Sequence, residues 1–96
     1  MENFKTVLKN ETAEVLEKKS RFISYVYHVE DEENIEKLIK EMRKNYHDAR
    51  HVCFAWRIIK DGQVIERASD DGEPSGTAGA PMLSILKKEN LCNILI

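Results

Sequence analysis

The chain has 96 residues, 42% of them hydrophobic and 33% charged, and its 15 basic and 17 acidic residues give a formal net charge of −2 at pH 7. This length and this mixture fit one folded domain, predicted to cover residues 1–96, and argue against a disordered or multi-domain chain. Without a positive surplus, any contact with nucleic acid must depend on a local basic patch.

The sequence contains no sign of a membrane-spanning or secretory segment. No apolar run approaches the roughly 20 residues that span a bilayer, and the first residues lack the apolar core of a signal peptide. We therefore expect a cytoplasmic protein without a membrane partner. Cys53 and Cys92 lie in apolar contexts and form no CxxC pair, which favours reduced core cysteines over a disulfide.

The beginning of the chain predicts β-structure followed by a helix. Residues 14–29 are rich in β-branched and aromatic side chains, which indicates a buried strand, and residues 4–8 are expected to pair with it as a short edge strand. Asp31 then has the character of a helix N-cap, with acidic residues in the first turn and basic residues in the last. An apolar stripe at helical spacing supports this helix: Ile35, Leu38, Ile39, Met42 and Tyr46.

The second half of the chain predicts a hairpin, a further helix and a last strand. Residues 51–59 alternate between two faces, and an Asp-Gly turn connects them to residues 64–69 as a β-hairpin. The second helix is expected from Pro81 and the last strand at residues 91–96. This order predicts an α+β fold, a two-layer sandwich in which helices cover one face of a mostly antiparallel sheet.

The C-terminal end of the chain is apolar. Ile94, Leu95 and Ile96 have no polar residue after them, and such an end leaves a strand edge that favours pairing with another strand. We therefore expect a domain that is truncated at this end, or one that is completed by association with another segment through the C-terminal strand.

A glycine-rich segment at residues 70–79 has the most unusual pattern in the sequence and joins a predicted strand to the second helix. Its glycines allow backbone N–H groups to converge in front of the helix, where an anion can bind, and its hydroxyl groups add donors. The neighbouring carboxylates would repel a bare phosphate unless a cation such as Mg²⁺ lay between them. The candidate ligand- or partner-binding residues here are Asp70, Asp71, Glu73, Ser75, Gly76, Thr77 and Gly79.

A structural interpretation of the same segment is simpler. In this interpretation the carboxylates accept hydrogen bonds from the N–H groups of their own turn, and Ser75 or Thr77 caps the second helix. The residues alone leave this interpretation, anion or metal binding, and a partner-facing loop open.

Titratable residues also gather between the first predicted helix and the following strand. A structural zinc site needs four ligands where this segment offers three, and a thiol such as Cys53 in an apolar strand is typically inert, so we predict neither a metal site nor a catalytic residue. His47, Arg50 and His51 either satisfy backbone groups or pair with the carboxylates of residues 70–73. Such pairing would place both polar segments on one ligand- or partner-facing surface.

Lys18, Lys19 and Arg21 form a compact basic run before the buried part of the first predicted strand. These side chains are the candidates for a nucleic-acid contact, and the alternative is a solvated strand end. RNA is therefore an alternative partner.

Together, these motifs resemble the N-terminal domain of the IMPACT and YigZ family. The resemblance rests on KSRFI at residues 19–23, on the polar residues at 47–53, and most specifically on DDGEPSGTAGAPML at residues 70–83. It extends over nearly the whole chain and implies a fold similar to the second domain of a small-subunit ribosomal protein and to a domain of elongation factor G.

The resemblance implies a function only in outline. Eukaryotic members look like regulators of translation that restrain a starvation-responsive kinase by competing for its activator, and bacterial members have a suspected link to translation or RNA. We therefore expect a non-enzymatic regulatory or binding module without a cofactor, which uses the DDGEPSGTAG loop to bind a protein of the translation machinery or of its stress regulation. The alternative is a metal-dependent enzyme, or a binder of a phosphorylated, nucleotide or RNA ligand.

Overall fold

Five strands and two helices are found in the computed structural model, which describes residues 4–7, 9–17 and 20–96. In chain order they are β1 (Glu11–Glu17), β2 (Ser20–His28), α1 (Glu32–Asn45), β3 (Phe54–Lys60), β4 (Gln63–Ser69), α2 (Gly79–Lys88) and β5 (Ile94–Leu95). The strands form one sheet in the order β1-β2-β5-β3-β4, and each neighbouring pair is antiparallel. The predicted α+β fold with an antiparallel sheet is therefore confirmed.

The single strand predicted over residues 14–29 is a β-hairpin in the structure. β1 pairs with β2 from Glu11↔Val26 to Glu17↔Ser20. Alternating apolar residues identify a strand conformation but not the place where a chain reverses, and the sequence between β1 and β2 has no Gly, Pro, Asn or Asp to mark a turn. For this reason the pattern favours one strand over two.

Residues 4–8, expected as an edge strand beside that strand, lie elsewhere. Leu8 is outside the described residues, and Lys5 forms a parallel bridge to Leu91. The Cys92 N–H donates a hydrogen bond of 2.9 Å to the Lys5 carbonyl. The backbone of the N-terminal segment therefore pairs with the chain that follows α2, while the Thr6 hydroxyl lies 3.1 Å from Nδ1 of His28 on β2. Nothing in a local pattern identifies so distant a backbone partner.

Helix α1 begins as the sequence predicts. Asp31 is the N-cap, and its Oδ1 accepts a hydrogen bond of 2.7 Å from the Asn34 N–H. This bond satisfies a backbone donor that the first turn leaves without an intrahelical partner. Ile35 and Ile39 are the buried members of the predicted apolar stripe. α1 has 14 residues, and in the described part of the chain no helix is long and apolar enough to cross a membrane.

The Asp-Gly turn between β3 and β4 also forms as predicted. Asp61 and Gly62 have φ values of 52° and 77°, the left-handed conformation that a two-residue hairpin turn requires. β3 and β4 then pair along their whole length. The second predicted helix is present too, with Pro81 in its first turn.

The two helices pack on opposite faces of the sheet, where the sequence pattern favoured a single covered face. α1 packs against Trp56 and Leu95, whereas α2 packs Leu86 against Ala55 and Ile94. Because neighbouring residues of a strand point to opposite sides, adjacent buried residues such as Ala55 and Trp56 require two covered faces. The nearly continuous apolar run of β3 is the sequence signal of this arrangement.

β5 is the short strand that joins the two halves of the sheet, and it is shorter than the strand predicted at its place. Leu95 pairs with Tyr27 of β2 on one side and with Trp56 of β3 on the other. Next, Ile96 exchanges two backbone hydrogen bonds with Ala55, of 2.8 and 3.0 Å. β2 and the chain leading into β3 both extend past this pairing.

Candidate functional site

The glycine-rich loop between β4 and α2 closes around the carboxylate of Asp70. Asp70 Oδ2 accepts a hydrogen bond of 2.9 Å from the Gly76 N–H, and Oδ1 accepts bonds of 3.1 and 2.7 Å from the N–H groups of Ala78 and Gly79. These bonds, that from Gly76 first, lower the pKa of Asp70 below its ordinary value. The N–H groups therefore converge before α2 as the glycines suggest, but the protein's own carboxylate occupies the place of an external anion.

This arrangement also caps helix α2. The N-cap residue of α2 makes no side-chain cap bond, so neither Ser75 nor Thr77 has the capping role considered for it. Asp70 instead accepts the Gly79 N–H and places a negative charge at the positive end of the helix. The Thr77 hydroxyl donates to the Pro74 carbonyl within the loop. The structural interpretation of the loop thus applies to Asp70, whereas the capping role that it gave to Ser75 or Thr77 is not seen.

The three loop glycines are needed for different reasons. A Cβ added at Gly79 would lie 2.7 Å from the backbone nitrogen of Ser69, so only glycine lets α2 start directly against the end of β4. Gly72 and Gly76 lie on either side of Pro74 and have φ values of 89° and 79°. Residues with a Cβ atom rarely adopt such positive φ values, so glycine is favoured at both turns.

Asp71 connects the loop to the chain that leads into β3. Its Oδ2 accepts a hydrogen bond of 2.6 Å from the Val52 N–H, and its carbonyl oxygen lies 2.8 Å from Nδ1 of His51. A carbonyl oxygen only accepts, so Nδ1 of His51 carries the proton of this bond. Arg43 at the end of α1 approaches Asp71 Oδ1 to 3.6 Å. Three segments that are distant in sequence therefore meet at Asp71.

The other ring nitrogen of His51 faces Glu73. Nε2 of His51 lies 3.9 Å from Oε1 of Glu73, and the two side chains are 31% and 36% exposed. In a neutral ring whose Nδ1 carries the proton, Nε2 is an acceptor, as the carboxylate is. In that tautomer the His51–Glu73 pair presents two neighbouring acceptors to a donor group from outside.

A groove of about 640 Å³ opens beside the His51–Glu73 pair. Its walls are β2, the second half of α1, the chain leading into β3 and the start of α2, and Leu95 and Ile96 also line it. Most of the lining side chains are apolar or aromatic, and Glu73 is the one acidic residue among them. A mainly apolar cleft with a few polar groups is the usual form of a binding site.

Two tyrosines outside the predicted site also line this groove. The hydroxyl groups of Tyr25 on β2 and Tyr46 after α1 share a hydrogen bond, which is the main reason that the pKa of Tyr46 is raised. The Tyr25 ring stacks on that of Tyr27 with centroids 6.0 Å apart. The helical stripe that contains Tyr46 predicts a core position, and only the turn of the chain after α1 brings its hydroxyl to β2.

Some predicted site residues lie away from the groove. His47, Arg50 and Ser75 are exposed, and their side chains make no hydrogen bond or ion pair with other residues that the structure describes. Of the polar residues before β3, it is His51 that joins the glycine-rich loop. The surface that the two polar segments share therefore includes fewer residues than the sequence predicts.

The basic run before β2 is only partly described. Lys18 and Lys19 lie outside the described residues. Arg21 forms an exposed ion pair with Glu14, with bonds of 2.7 and 3.2 Å from its Nε and Nη2 atoms. Because the Glu14 carboxylate occupies one edge of the guanidinium, with its Nε and Nη2 donors, Arg21 has fewer donors left for a phosphate group.

Cys53 has the properties of a structural thiol. Its Sγ donates to the Asp70 carbonyl at 3.0 Å. Burial raises the pKa of the thiol, and the nearby carboxylates, Glu73 first, raise it further. Within the described ranges, no group of three or more His, Cys, Asp or Glu side chains is arranged to hold a metal ion. Cys53 is therefore not activated as a nucleophile.

The family of the chain follows from comparison with known proteins. Residues 18–96, which include the whole loop and every residue that lines the groove, match the Impact N-terminal domain. The chain belongs to the IMPACT family. The motif at residues 70–83 thus identifies the family correctly from the sequence.

Individual relatives come from bacteria and yeast. The IMPACT family member YvyE of Bacillus subtilis is 40% identical over 91 residues, which are 95% of this chain and 42% of the relative. YigZ of Escherichia coli is 45% identical over 72% of this chain and 34% of the relative. The protein IMPACT homolog of Saccharomyces cerevisiae is 28% identical over 85% of this chain and 33% of the relative. The chain therefore spans about two fifths or less of the length of these IMPACT proteins.

A solved structure has the same IMPACT fold. This structure, described as a crystal structure of a hypothetical protein, has a TM-score of 0.81 and is 36% identical in sequence. The similarity covers 92% of this chain and 43% of the other. The α+β architecture is thus shared with an experimentally determined protein.

Proposed function

We propose that this IMPACT-family domain is a cytoplasmic, non-enzymatic binding module for a protein of the translation machinery or of its stress regulation. One observation supports the proposal most: Asp70 already binds N–H groups of the glycine-rich loop, so the loop forms part of the wall of the apolar groove and is not an open anion site. Apolar surface edged by a few polar groups is typical of the core of a protein interface. Membership of the IMPACT family supports the link to translation.

An enzyme that acts on a phosphorylated or nucleotide substrate has less support. A phosphate bound before α2 would have to displace Asp70 from three hydrogen bonds, and Glu73 would repel it. His51 lies near Cys53 in sequence, but the thiol donates to a backbone carbonyl and its pKa is raised. The Cys53 thiol is thus not the activated nucleophile that such a reaction needs.

The proposal is tested by the binding of the full-length protein to purified ribosomes and to the proteins washed from them with salt. Glu73→Gln and Met42→Glu change the polar edge and the apolar wall of the groove, and we expect each to weaken association about tenfold. Glu36→Gln removes an equal charge from the exposed side of α1 and should bind like the wild type.

Two outcomes would contradict a protein-binding module. If both groove variants keep a native circular dichroism spectrum and bind as the wild type does, the groove is not the partner site. If digestion of RNA abolishes association with the washed proteins, the partner is RNA, and binding should then fall steeply with salt concentration.

A further inference from the structure

We propose that Tyr25 and Tyr46 form an oxidative modification site, at which a one-electron oxidant, such as a peroxidase supplied with hydrogen peroxide, joins the two rings by a carbon–carbon bond. This bond would lock the end of α1 on β2. The inference goes beyond the proposed function, because it depends on the position of two side chains and not on what the groove binds.

The backbone at the end of α1 fixes the position of Tyr46. Its N–H donates to the Met42 carbonyl at 2.9 Å, and its own carbonyl accepts a bond of 2.9 Å from the Ala49 N–H. Tyr46 has left the helical conformation, with φ −120° and ψ 49°. A tight turn therefore holds this ring where α1 ends, and its hydroxyl group meets that of Tyr25.

On β2, the ring of Tyr25 lies on the face of the sheet that α1 covers. Tyr27 packs against the core cluster beneath α1, and residues two apart in a strand share a face. The two rings are stacked, with an angle of 7° between their planes. This stack holds the Tyr25 ring in one orientation, in which its hydroxyl group reaches the end of α1.

The rings of Tyr25 and Tyr46 lean toward each other. Their centroids are 6.0 Å apart, and their hydroxyl groups share a hydrogen bond. Two phenols in an end-to-end line through such a bond would have more widely separated centroids, because each centroid lies behind its own hydroxyl oxygen. The Cε atoms, which are the ring carbons beside the hydroxyl-bearing carbon, therefore approach one another where the two rings meet.

The coupling of two tyrosines balances as a two-electron oxidation. Tyrosine phenols are protonated at neutral pH, so each ring gives one electron to the oxidant and its hydroxyl proton to water. The two phenoxyl radicals then form a bond between one Cε atom of each ring. Each bonded carbon loses its hydrogen as a proton and each oxygen regains a proton, which restores two phenols. The two electrons and two protons removed convert one hydrogen peroxide into two molecules of water.

Tyr27 provides the matched control for this geometry. Its centroid is also 6.0 Å from that of Tyr25, but in the part of the chain that the structure describes the hydroxyl of Tyr25 is bonded to Tyr46 and not to Tyr27. Parallel neighbours on one strand keep equivalent ring atoms about as far apart as their centroids, beyond the roughly 4 Å of a carbon–carbon contact. We therefore expect Tyr25 to couple with Tyr46 and not with Tyr27.

The new bond would restrain α1. Near Tyr46, the last turn of the helix has an exposed ion pair between Arg43 and Asp71, whose nitrogen and oxygen atoms are 3.6 Å apart, and such pairs are weak. A covalent bond between residues 21 apart in sequence restricts the unfolded chain as a disulfide does. Hydrogen exchange at the buried residues of α1, Ile35 and Ile39, should therefore slow at least about tenfold.

Oxidation of the full-length protein by a peroxidase and hydrogen peroxide, followed by tryptic digestion and mass spectrometry, tests the inference. Trypsin releases Tyr25 and Tyr27 within residues 22–37 and Tyr46 within residues 45–50. We expect these two peptides to be joined, with the loss of two hydrogen atoms, in chains that remain monomeric on a denaturing gel. Tyr25→Phe and Tyr46→Phe should each abolish the joined product, and Tyr27→Phe should retain it.

Three results would overturn the inference. If free tyrosine couples under the same conditions but the wild-type protein yields no joined peptides, the two rings do not meet. If Tyr27→Phe loses the product while all variants keep a native circular dichroism spectrum, the bond is formed by Tyr27. If exchange at Ile35 and Ile39 is unchanged in the cross-linked protein, the bond does not lock α1.

Discussion

Asp70 organises the glycine-rich loop with a single carboxylate. It accepts N–H groups six, eight and nine residues ahead of it, whereas capping rules apply within three residues of a helix start. Glu73, three residues later, faces the groove instead. The sequence identified this loop as unusual. The path of the backbone then gives Asp70 a structural role and places Glu73 at the groove.

Asp70→Asn should destabilise the protein most above the pH at which the carboxylate ionises. Because the folded-state pKa is lowered, the ionised group stabilises the fold above its ordinary value of 3.8, and this stabilisation is lost as the pH falls through the lowered pKa. Urea unfolding between about pH 2 and pH 6 should therefore show a steeper acid-side loss for the wild type than for the variant.

The control for this prediction is Asp48→Asn, at an exposed position after α1. This variant should keep the pH dependence of the wild type. If Asp70→Asn also keeps it, the hydrogen bonds of Asp70 do not stabilise the folded state.

Gly79→Ala should destabilise the fold through a steric contact. The added Cβ would lie 2.7 to 2.9 Å from backbone atoms of Ser69, which belong to a strand and cannot move independently. We expect a loss of about 1 to 3 kcal/mol in the free energy of unfolding, measured by chemical denaturation. Ser84→Ala, at an exposed position in the same helix, should change it by less than about 0.5 kcal/mol. Equal stabilities of the two variants would show that α2 can shift from β4 without cost.

At the scale of secondary-structure elements, prediction succeeded where the signal is local. Asp31 caps α1 and Asp61 with Gly62 forms the hairpin turn, and both features depend on side-chain and backbone chemistry within four residues. The β1–β2 hairpin was not predicted, because its turn lacks the residues that usually mark a reversal. The register with β5 was equally hidden, since at Leu95 the partner on β2, Tyr27, is 68 residues away (95 − 27) and the partner on β3, Trp56, is 39 residues away (95 − 56).

The cap of α1 makes a quantitative prediction at this scale. Asp31→Ala removes the acceptor of the Asn34 N–H and should lower the free energy of unfolding by about 1 kcal/mol. Glu36→Ala, in the exposed middle of the same helix, tests whether the loss of any acidic residue has this effect. Thermal and urea unfolding of both variants provide the measurement, and a similar loss in both would argue against a capping role.

At the scale of the whole molecule, β5 is the connection on which the sheet depends. Its two residues pair with β2 on one side and with β3 on the other, and thereby join the β1–β2 hairpin to the β3–β4 hairpin. Leu95 and Ile96 also line the groove, so the same short segment contributes to the sheet and to the candidate binding site.

Leu95→Ala should weaken this connection. Leu95 is 4% exposed and packs with Trp56 under α1, so we expect a loss of about 2 to 5 kcal/mol in the free energy of unfolding. Hydrogen exchange should increase most at the backbone groups that pair with β5, because the β1–β2 and β3–β4 hairpins keep their own pairing. Ile85→Ala, at a position that is 55% exposed, should cost less than about 0.5 kcal/mol. Uniformly faster exchange in all strands would contradict a joining role for β5.

The amino-acid sequence by itself determined the α+β class, the limits of α1, the hairpin turn and the family, because each depends on residue types at short, regular spacings. Only the tertiary structure decided that the helices cover opposite faces, that Asp70 occupies the N–H groups of its own loop, and that His51 joins Glu73 while His47 and Arg50 do not. These outcomes depend on which distant segments approach one another. Such proximity results from the packing of the whole chain and has no local pattern.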